Sequence, residues 1–294
     1  MNNKVILGVI FAAISAFMLA SMSLFSKLLS SYLGPIEVTF FRNVFSFIAL
    51  LLWILCARKL AELKTGRPWA HIIRGVIGTT GIVVGMWALS IMPLTETTIL
   101  LFTSPLFVVL LSYPILKEKV GPYRLSAVLI GFIGVFITVS PFSSHEPLPI
   151  LGIILALIWG FESACVYICL RWMGNTETST RTVFYFVLFG TLATSVHLPF
   201  AEVKAPLSFD MLWIIVGLGA TGLISLLCKT QSLRLAEASI IAPIMYTMII
   251  WAFVFDYLLW DKEPTINNIA GAGLIIFSNM LILYREQKKK QKTV

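Results

Sequence analysis

The segment "ILGIILALIWGFESA" (residues 150–164) is a near copy of "ILGVIFAAISAFMLA" (residues 6–20), with eight of fifteen positions identical at an offset of 144 residues. Apolar segments resemble one another by composition alone, but a match of this extent at one fixed offset indicates an internal repeat. The two copies differ at one informative position, where the second has Glu162 and the first has Met18. The sequence therefore predicts two similar halves that differ in an ionisable residue.

The composition is that of a polytopic membrane protein. The chain of 294 residues is 58% apolar and 12% charged, with a mean hydropathy of +0.92, whereas soluble domains are about 45–50% apolar and about 25% charged. The net charge of +8 does not predict nucleic-acid binding, because the basic residues are spread over short connections and a C-terminal tail. The apolar stretch from Val5 to Leu29 is too long for a signal-peptide core, so we interpret it as a retained first membrane helix.

Ten segments reach the roughly 20 mostly apolar residues that a membrane-spanning helix needs. They are residues 5–29, 36–57, 71–91, 94–116, 122–141, 149–171, 181–200, 209–230, 236–260 and 266–284. Glycine and proline separate them, as in Gly34-Pro35 and Gly121-Pro122. Glycines in "GTTGIVVG" (residues 78–85) and "GLGATG" (residues 217–222) predict close contacts between helices. The predicted fold is an all-α integral membrane protein of ten transmembrane helices.

Each repeat contains five helices, an odd number, so the second repeat enters the membrane from the opposite side. We predict a first five-helix repeat over 1–144, a second, inverted five-helix repeat over 145–286 and a basic cytoplasmic tail over 287–294. Lys and Arg concentrate in alternate connections and in the tail, which predicts a multi-pass inner (plasma) membrane protein with both termini in the cytoplasm. Inverted repeats are typical of alternating-access transporters.

Glu162 is the first candidate for a functional residue, because an ionisable side chain near the bilayer centre costs about 2.5–3.5 kcal/mol on insertion scales. On helical spacing it shares a face with Trp159 and Ser163. It could bind a cationic group or a coupling proton. The alternative is a structural hydrogen bond between helices, made by a protonated carboxyl.

Arg42 is the second candidate and lies about 9 Å inside the second predicted helix. Its repeat equivalent is Phe186, so the repeat does not predict a matching pair of arginines. Arg42 could bind a carboxylate or phosphate of a substrate, or it could form a structural pair with Glu37 or Glu96. The sequence leaves both interpretations open.

Two prolines predict breaks in the fourth and ninth helices, at Pro105 and Pro243, and these helices are predicted to move and to line a cavity. Tyr246 and Asn279 are weaker candidates for the substrate site, and Phe17 could add an aromatic wall.

Other charged residues lie near predicted helix ends, where ordinary exposure explains them. Glu96 and Asp256 are expected to be solvated, and His71 and Arg74 are expected to contact phospholipid at the cytoplasmic interface.

Four motifs occur at the expected helices: "FFRN" (residues 40–43), "RG" (Arg74-Gly75), Pro105 followed by Glu118, and "EPT" (residues 263–265). Together with the two five-helix halves they resemble the drug/metabolite transporter superfamily, and more narrowly the EamA family of ten-helix carriers. The resemblance covers residues 5–286 and implies a central cavity lined by both halves and no ATPase. "EVTFFRN", "RPWAHIIRG" and "SPLFVVLLSYPILKE" are similar to stretches of bacterial S-adenosylmethionine carriers; riboflavin and amino-acid carriers share parts of the pattern.

The resulting hypothesis is a secondary-active carrier of a small polar metabolite, an amino acid or an S-adenosylmethionine-like compound. An exporter of amphiphilic organic cations driven by protons is the alternative. We do not expect an enzyme or a cofactor. We do not expect a metal site either, since Cys165 and Cys169 have no His or carboxylate at ligand spacing. The expected partners are the substrate, a coupling proton or counter-substrate, and the lipid bilayer; a monomer and a homodimer both stay open.

Overall fold

The computed structural model describes residues 3–116, 122–139, 148–173, 177–201, 209–236 and 238–291, and within them there is no strand. Glu118, the predicted boundary between residues 144 and 145, and the end of the basic tail lie outside the described residues. The α-helices are α1 (Asn3–Leu29), α2 (Pro35–Cys56), α3 (Pro68–Ile91), α4 (Leu94–Leu101), α5 (Ser104–Leu116), α6 (Pro122–Val139), α7 (Ile150–Met173), α8 (Ser179–Ser195), α9 (Phe209–Leu235), α10 (Ala238–Met245), α11 (Thr247–Trp260) and α12 (Ile266–Gln291).

The predicted membrane fold is confirmed. Nine stretches of the described chain are long and apolar enough to cross a membrane, and the shorter apolar part of α6, Leu125–Val139, provides a tenth. Because ten crossings return the chain to the side from which it started, α1 begins and α12 ends at the same face. We call it the termini face, and the other the opposite face.

The predicted fourth and ninth spans are each divided into two helices, α4 with α5 and α10 with α11. The Thr103 hydroxyl donates to the Leu100 carbonyl at 2.6 Å, and the Thr247 hydroxyl donates to the Ile244 carbonyl at 2.6 Å. These bonds are related by the 144-residue offset, since 103 + 144 = 247 and 100 + 144 = 244. Threonine hydroxyls bonded to the preceding turn bend helices, so both halves contain the same local break.

Both prolines named from the sequence lie beside these breaks, although not at equivalent positions. Pro105 is in the first turn of α5, and Pro243 is inside α10, three residues before the break at Tyr246. Each proline lacks the N–H that would otherwise continue the helical hydrogen bonds. A role for the two prolines in transport stays a prediction.

The helices pack with the pseudo-two-fold symmetry that inverted repeats produce. α1 packs along α9 and, in the other half, its equivalent α7 packs along α3; α2 packs on α8, and α6 packs on α12. Phe102 and Tyr246, which the repeat relates (102 + 144 = 246), have ring centroids 4.9 Å apart. The pseudo-two-fold axis therefore passes between these rings, at the breaks in both divided spans.

We expect Gly271→Ala to lower the free energy of unfolding by about 2 kcal/mol, because α6 leaves no room for a side chain there. The added methyl carbon would lie 2.6 Å from the Gly134 carbonyl oxygen and 2.9 Å from the Thr138 amide nitrogen. Gly273→Ala is the matched control, since nothing lies within 4 Å of its methyl position. Unfolding of the purified variants, followed by circular dichroism during titration with a denaturing detergent, measures the difference. Equal stability of the two variants would contradict this description of the contact.

Candidate functional site

Two carboxylates at the opposite face have partners inside the protein, which corrects the expectation that they are solvated. Asp256 of α11 is 3% exposed and accepts hydrogen bonds from the backbone N–H groups of Leu94 at 3.2 Å and Thr95 at 2.7 Å. Glu96 accepts a hydrogen bond from the Asn268 side-chain amide at 3.1 Å. A carboxylate at a helix N-terminus is stabilised by the free N–H groups and the helix dipole. Asp256 therefore joins α11 to the start of α4.

Lys27 adds a second connection at this face. Its ammonium group donates to the Met92 carbonyl and lies 5.1 Å from the ring centroid of Trp260, so it links α1 to the α3–α4 connection and to α11. Toward the termini face, α5 and α10 share no comparable interface within the described residues. Among the described residues, the two divided spans are thus packed together from the opposite face to their breaks, and not along α5 and α10.

Tyr246, Asn279 and Phe102 lie together where the divided spans break. The Asn279 side-chain amide donates to the Phe102 carbonyl at 3.0 Å. The Leu106 N–H, which would bond this carbonyl in a continuous helix, donates to Thr103 instead. Asn279 also lies beside the Tyr246 hydroxyl. The structure therefore brings two predicted site residues together at the pseudo-two-fold axis.

Glu162 and Trp159 face the glycines of α3. A methyl group on Gly85 would overlap the Trp159 ring, and one on Gly81 would lie 3.2 Å from Glu162 Oε2. Glu162 Oε2 is buried and has no hydrogen-bond partner among the described residues. Its neighbour Ser163 is half-buried. The glycines permit the close approach of α3 to α7 that holds this carboxylate inside the bundle.

Phe17 belongs to an aromatic group between α1 and α11. Its ring centroid lies 4.8 Å from that of Trp251, in an edge-to-face arrangement, and 6.3 Å from that of Phe255. These separations are those of favourable aromatic pairs. Phe17 contributes to the wall that α1 presents to α11.

Arg42 has neither of the carboxylate partners considered from the sequence. It is 8% exposed; its Nε donates to the Met22 sulfur at 3.2 Å and its Nη1 donates to Asn43 Oδ1 at 3.1 Å. Glu37 lies 3.4 Å from His197 instead. No hydrogen bond or ion pair in the described part of the chain joins Arg42 to Glu162, so the two predicted charges do not neutralise each other.

Arg74 is a buried residue that sequence reasoning placed wrongly at the lipid interface. It is 9% exposed, and its guanidinium carbon lies 4.3 Å from the ring centroid of Phe186 on α8. Its Nη1 occupies the space that a side chain at Gly78 would fill, so the guanidinium extends one turn deeper into the membrane rather than back to the interface. The available sequence signal was the glycine four residues later, which leaves room on that helix face.

Glu177, at the termini face, is buried among three hydrogen-bond donors. Its carboxylate is 3% exposed and accepts hydrogen bonds from Arg181 Nη1 at 2.9 Å, Thr65 Oγ1 at 3.0 Å and His71 Nε2 at 3.1 Å. Burial by itself would raise the pKa of this carboxyl, but the three hydrogen bonds and the Arg181 charge hold the pKa below its ordinary value. The expectation that His71 contacts phospholipid is therefore wrong. We call these four residues the Glu177 cluster.

A bundle of inverted repeats with divided helices and unpaired polar groups in its interior is the architecture of a membrane transport protein. The chain belongs to the EamA-like transporter family, which matches it twice, over residues 6–140 and 150–284. The two matches are separated by the same offset of 144 residues. Because the family consists of transporters, the chain is a transporter and not an enzyme.

Individual relatives differ in what they carry. The S-adenosylmethionine uptake transporter of Rickettsia prowazekii is 31% identical over 265 residues, which are 90% of this chain and 87% of the relative. The pseudopaline exporter CntI of Pseudomonas aeruginosa is 26% identical over 272 residues, which are 92% of this chain and 93% of the relative. One crystal structure shares the fold, with a TM-score of 0.65 and 16% identity over 98% of this chain and 99% of that one.

Proposed function

We propose that the protein is a secondary-active carrier of a small polar metabolite, an amino acid or an S-adenosylmethionine-like compound, in the inner membrane. The observation that carries the proposal is the pair of interior charges, Glu162 and Arg42, which do not neutralise each other. A charge in the protein interior without an oppositely charged partner is costly. A substrate that carries both a cationic group and a carboxylate would supply both partners. The similarity to S-adenosylmethionine uptake transporters supports this substrate class.

Each predicted site residue has a role in this proposal. Glu162 binds the cationic group or a coupling proton, and Arg42 binds the carboxylate. Trp159, Phe17 and Tyr246 provide apolar and stacking surfaces, to which Ser163 and Asn279 add hydrogen-bonding groups. Pro105 and Pro243 keep the divided spans from forming continuous helices.

The unequal packing of the divided spans supports alternating access as the mechanism. With both termini in the cytoplasm, as the distribution of Lys and Arg predicts, the opposite face is external and is closed by the contact of Asp256 with α4. The cytoplasmic halves, α5 and α10, would close on each other in the second state while α4 and α11 separate. Equivalent breaks at Thr103 and Thr247 allow either half to make the same movement.

A second candidate function is export of amphiphilic organic cations in exchange for protons. A half-buried carboxylate beside the Trp159 ring suits a flat cation, and one relative is named an exporter. This function predicts resistance to toxic cationic dyes in cells that overproduce the chain, and it predicts that transport does not depend on Arg42.

The test is uptake of labelled S-adenosylmethionine into proteoliposomes by the native chain and by Glu162→Gln. We expect saturable uptake by the native chain and about 30-fold slower uptake by the variant, because the cationic group or proton loses its charged partner. Glu263→Gln removes an exposed carboxylate and should leave uptake unchanged.

Two results would count against parts of this proposal. Uptake by Glu162→Gln equal to that of the native chain at every pH would remove this carboxylate from the mechanism. No uptake by a folded native chain would retire S-adenosylmethionine as the substrate.

A further inference from the structure

Four buried side chains on α2 and α3 present hydrogen-bond donors without enough acceptors. Arg74 Nε and Nη1, Asn43 Nδ2 and Thr79 Oγ1 have no hydrogen-bond partner in the described part of the chain. Arg42, which is next to Asn43 in the sequence, donates one hydrogen bond to a methionine sulfur, and sulfur is a weak acceptor. All four residues are at least nine-tenths buried. An unpaired buried donor destabilises the protein, and a charged one does so more strongly.

The two arginines approach the middle of the membrane from opposite faces. Arg42 lies about 10 Å from the opposite-face end of α2, and Arg74 lies about 9 Å from the termini-face end of α3, at 1.5 Å per residue. The Arg74 guanidinium then extends toward Gly78, one turn deeper. Arg42 lies within electrostatic range of Arg74, and like charges repel each other.

Asn43 and Thr79 lie between these two cations. A methyl group on Gly190 of α8 would lie 2.6 Å from Asn43 Nδ2 and 3.0 Å from Thr79 Oγ1, so both polar atoms border the same glycine. The absence of a side chain at this glycine lets both polar side chains pack directly against the α8 backbone. Among the described residues, no carboxylate lies within 4 Å of either arginine.

We propose that Arg42, Asn43, Arg74 and Thr79 form one oxyanion site that binds the carboxylate of the carried metabolite. The inference rests on the proposed carrier function and adds Arg74, Asn43 and Thr79 to it. Guanidinium groups bind carboxylates with two parallel hydrogen bonds, and the amide and hydroxyl supply further donors. The second arginine comes from α3, because the repeat position of Arg42 is Phe186, which instead packs on the Arg74 guanidinium.

The test compares ligand binding by the purified full-length chain with binding by Arg42→Gln, Arg74→Gln and a control, Arg67→Gln. Arg67 is an exposed arginine next to the start of α3. The thermal unfolding midpoint is measured against increasing S-adenosylmethionine and against decarboxylated S-adenosylmethionine, which lacks only the carboxylate. We expect the native chain and the control to bind the carboxylate-bearing compound about 100-fold more tightly, and both site variants to lose this preference. A native chain without preference, or a site variant that keeps it, would overturn the proposal.

A purely structural role for the arginines predicts that their substitution lowers the unfolding midpoint of the ligand-free protein. The binding-site proposal predicts that it does not fall, because Gln removes an unpaired buried charge. If Gln prevents folding, Arg42→Lys and Arg74→Lys keep the charge but not the paired donors, and about tenfold weaker binding of the carboxylate-bearing compound is expected. A Lys variant with full carboxylate preference would assign the arginine to structure and overturn the proposal.

Failure of the proposed substrate is distinguishable from failure of the site. If the native chain binds neither adenosyl compound, the substrate assignment fails, and acetate and inorganic phosphate become the probes. Stabilisation of the native chain and Arg67→Gln by acetate, lost in both site variants, keeps the carboxylate site. Stabilisation by phosphate but not by acetate would overturn the assignment of the site to a carboxylate. An equal response of the native chain and all three variants, or no response by any of them, would overturn the site itself.

Discussion

Glu177→Gln is expected to lower the free energy of unfolding by about 3 kcal/mol at neutral pH. The native carboxylate accepts three hydrogen bonds from Arg181, His71 and Thr65 while almost fully buried. Removing the charge from a buried ion pair leaves the partner without compensation, which costs about 3–5 kcal/mol; the partial exposure of Arg181 favours the lower end. Detergent-titrated unfolding of the native and variant proteins measures the loss.

The pH dependence of this difference has a definite sign. Because the pKa of Glu177 is lower in the folded protein than its ordinary value of 4.5, the folded state binds this proton less readily than the unfolded state. The carboxylate's contribution is therefore complete above about pH 4.5 and is lost as the pH falls through the folded pKa. We expect the stability advantage of the native chain over Glu177→Gln to shrink as the pH falls below 4.5.

Glu62→Gln is the matched control for this prediction. Glu62 pairs with Lys59 at 3.2 Å, but both side chains are more than 40% exposed, and exposed ion pairs contribute about 0–1 kcal/mol. Its substitution should change stability little. Equal losses in the two variants, or a Glu177 effect that does not depend on pH, would contradict the structural role of the Glu177 cluster.

The membrane fold could be predicted from the sequence because its determinants are local. Apolar length marks each span, an odd number of spans per repeat forces the inversion, and glycines mark close contacts. Trp159 does pack over Gly85, and a methyl group on Gly219 would overlap Phe45. Glu162 could be named because an acidic residue within an apolar helix is conspicuous without any knowledge of its neighbours.

The burial of charges near helix ends could not be predicted in this way. Asp256, Arg74 and His71 all lie close to a predicted membrane face, where exposure is the ordinary outcome. Their actual environment depends on which helix of the other half covers them, and the residues that supply contacts are 162 positions away for Asp256 and 106 for His71. Hydropathy along the chain contains no information about such pairings. The burial of Arg74 was missed for this reason.

The breaks in the two divided spans could be predicted from the sequence only in part. Pro105 and Pro243 lie in the two spans that the structure divides, and proline interrupts helical hydrogen bonding. The symmetric elements at the breaks are Thr103 and Thr247, whose side chains are common in membrane helices and gave no distinct signal. Only the structure relates the two breaks by the repeat.

A second large effect is expected at Asp256, whose removal should weaken the closure of the opposite face. Asp256→Ala leaves the Leu94 and Thr95 N–H groups without their charged acceptor, at a cost of about 3 kcal/mol in the closed state. The repeat equivalent of Asp256 is Ser112 (256 − 144 = 112), so the termini face has no carboxylate at this position. The native chain should therefore favour closure at the opposite face, and the variant should lose most of this preference.

Hydrogen exchange at the first turn of α4 measures this directly, because the affected N–H groups are themselves the reporters. We expect about 100-fold faster exchange at Leu94 and Thr95 in Asp256→Ala, and a smaller increase in Asp256→Asn, which keeps one acceptor oxygen. Asp261→Asn is the control: Asp261 is an exposed residue at the end of the same helix with φ of 51°, a conformation that Asn also tolerates. Unchanged exchange in Asp256→Ala would mean that other contacts, such as that of Lys27 with Met92, are sufficient to keep α4 and α11 together.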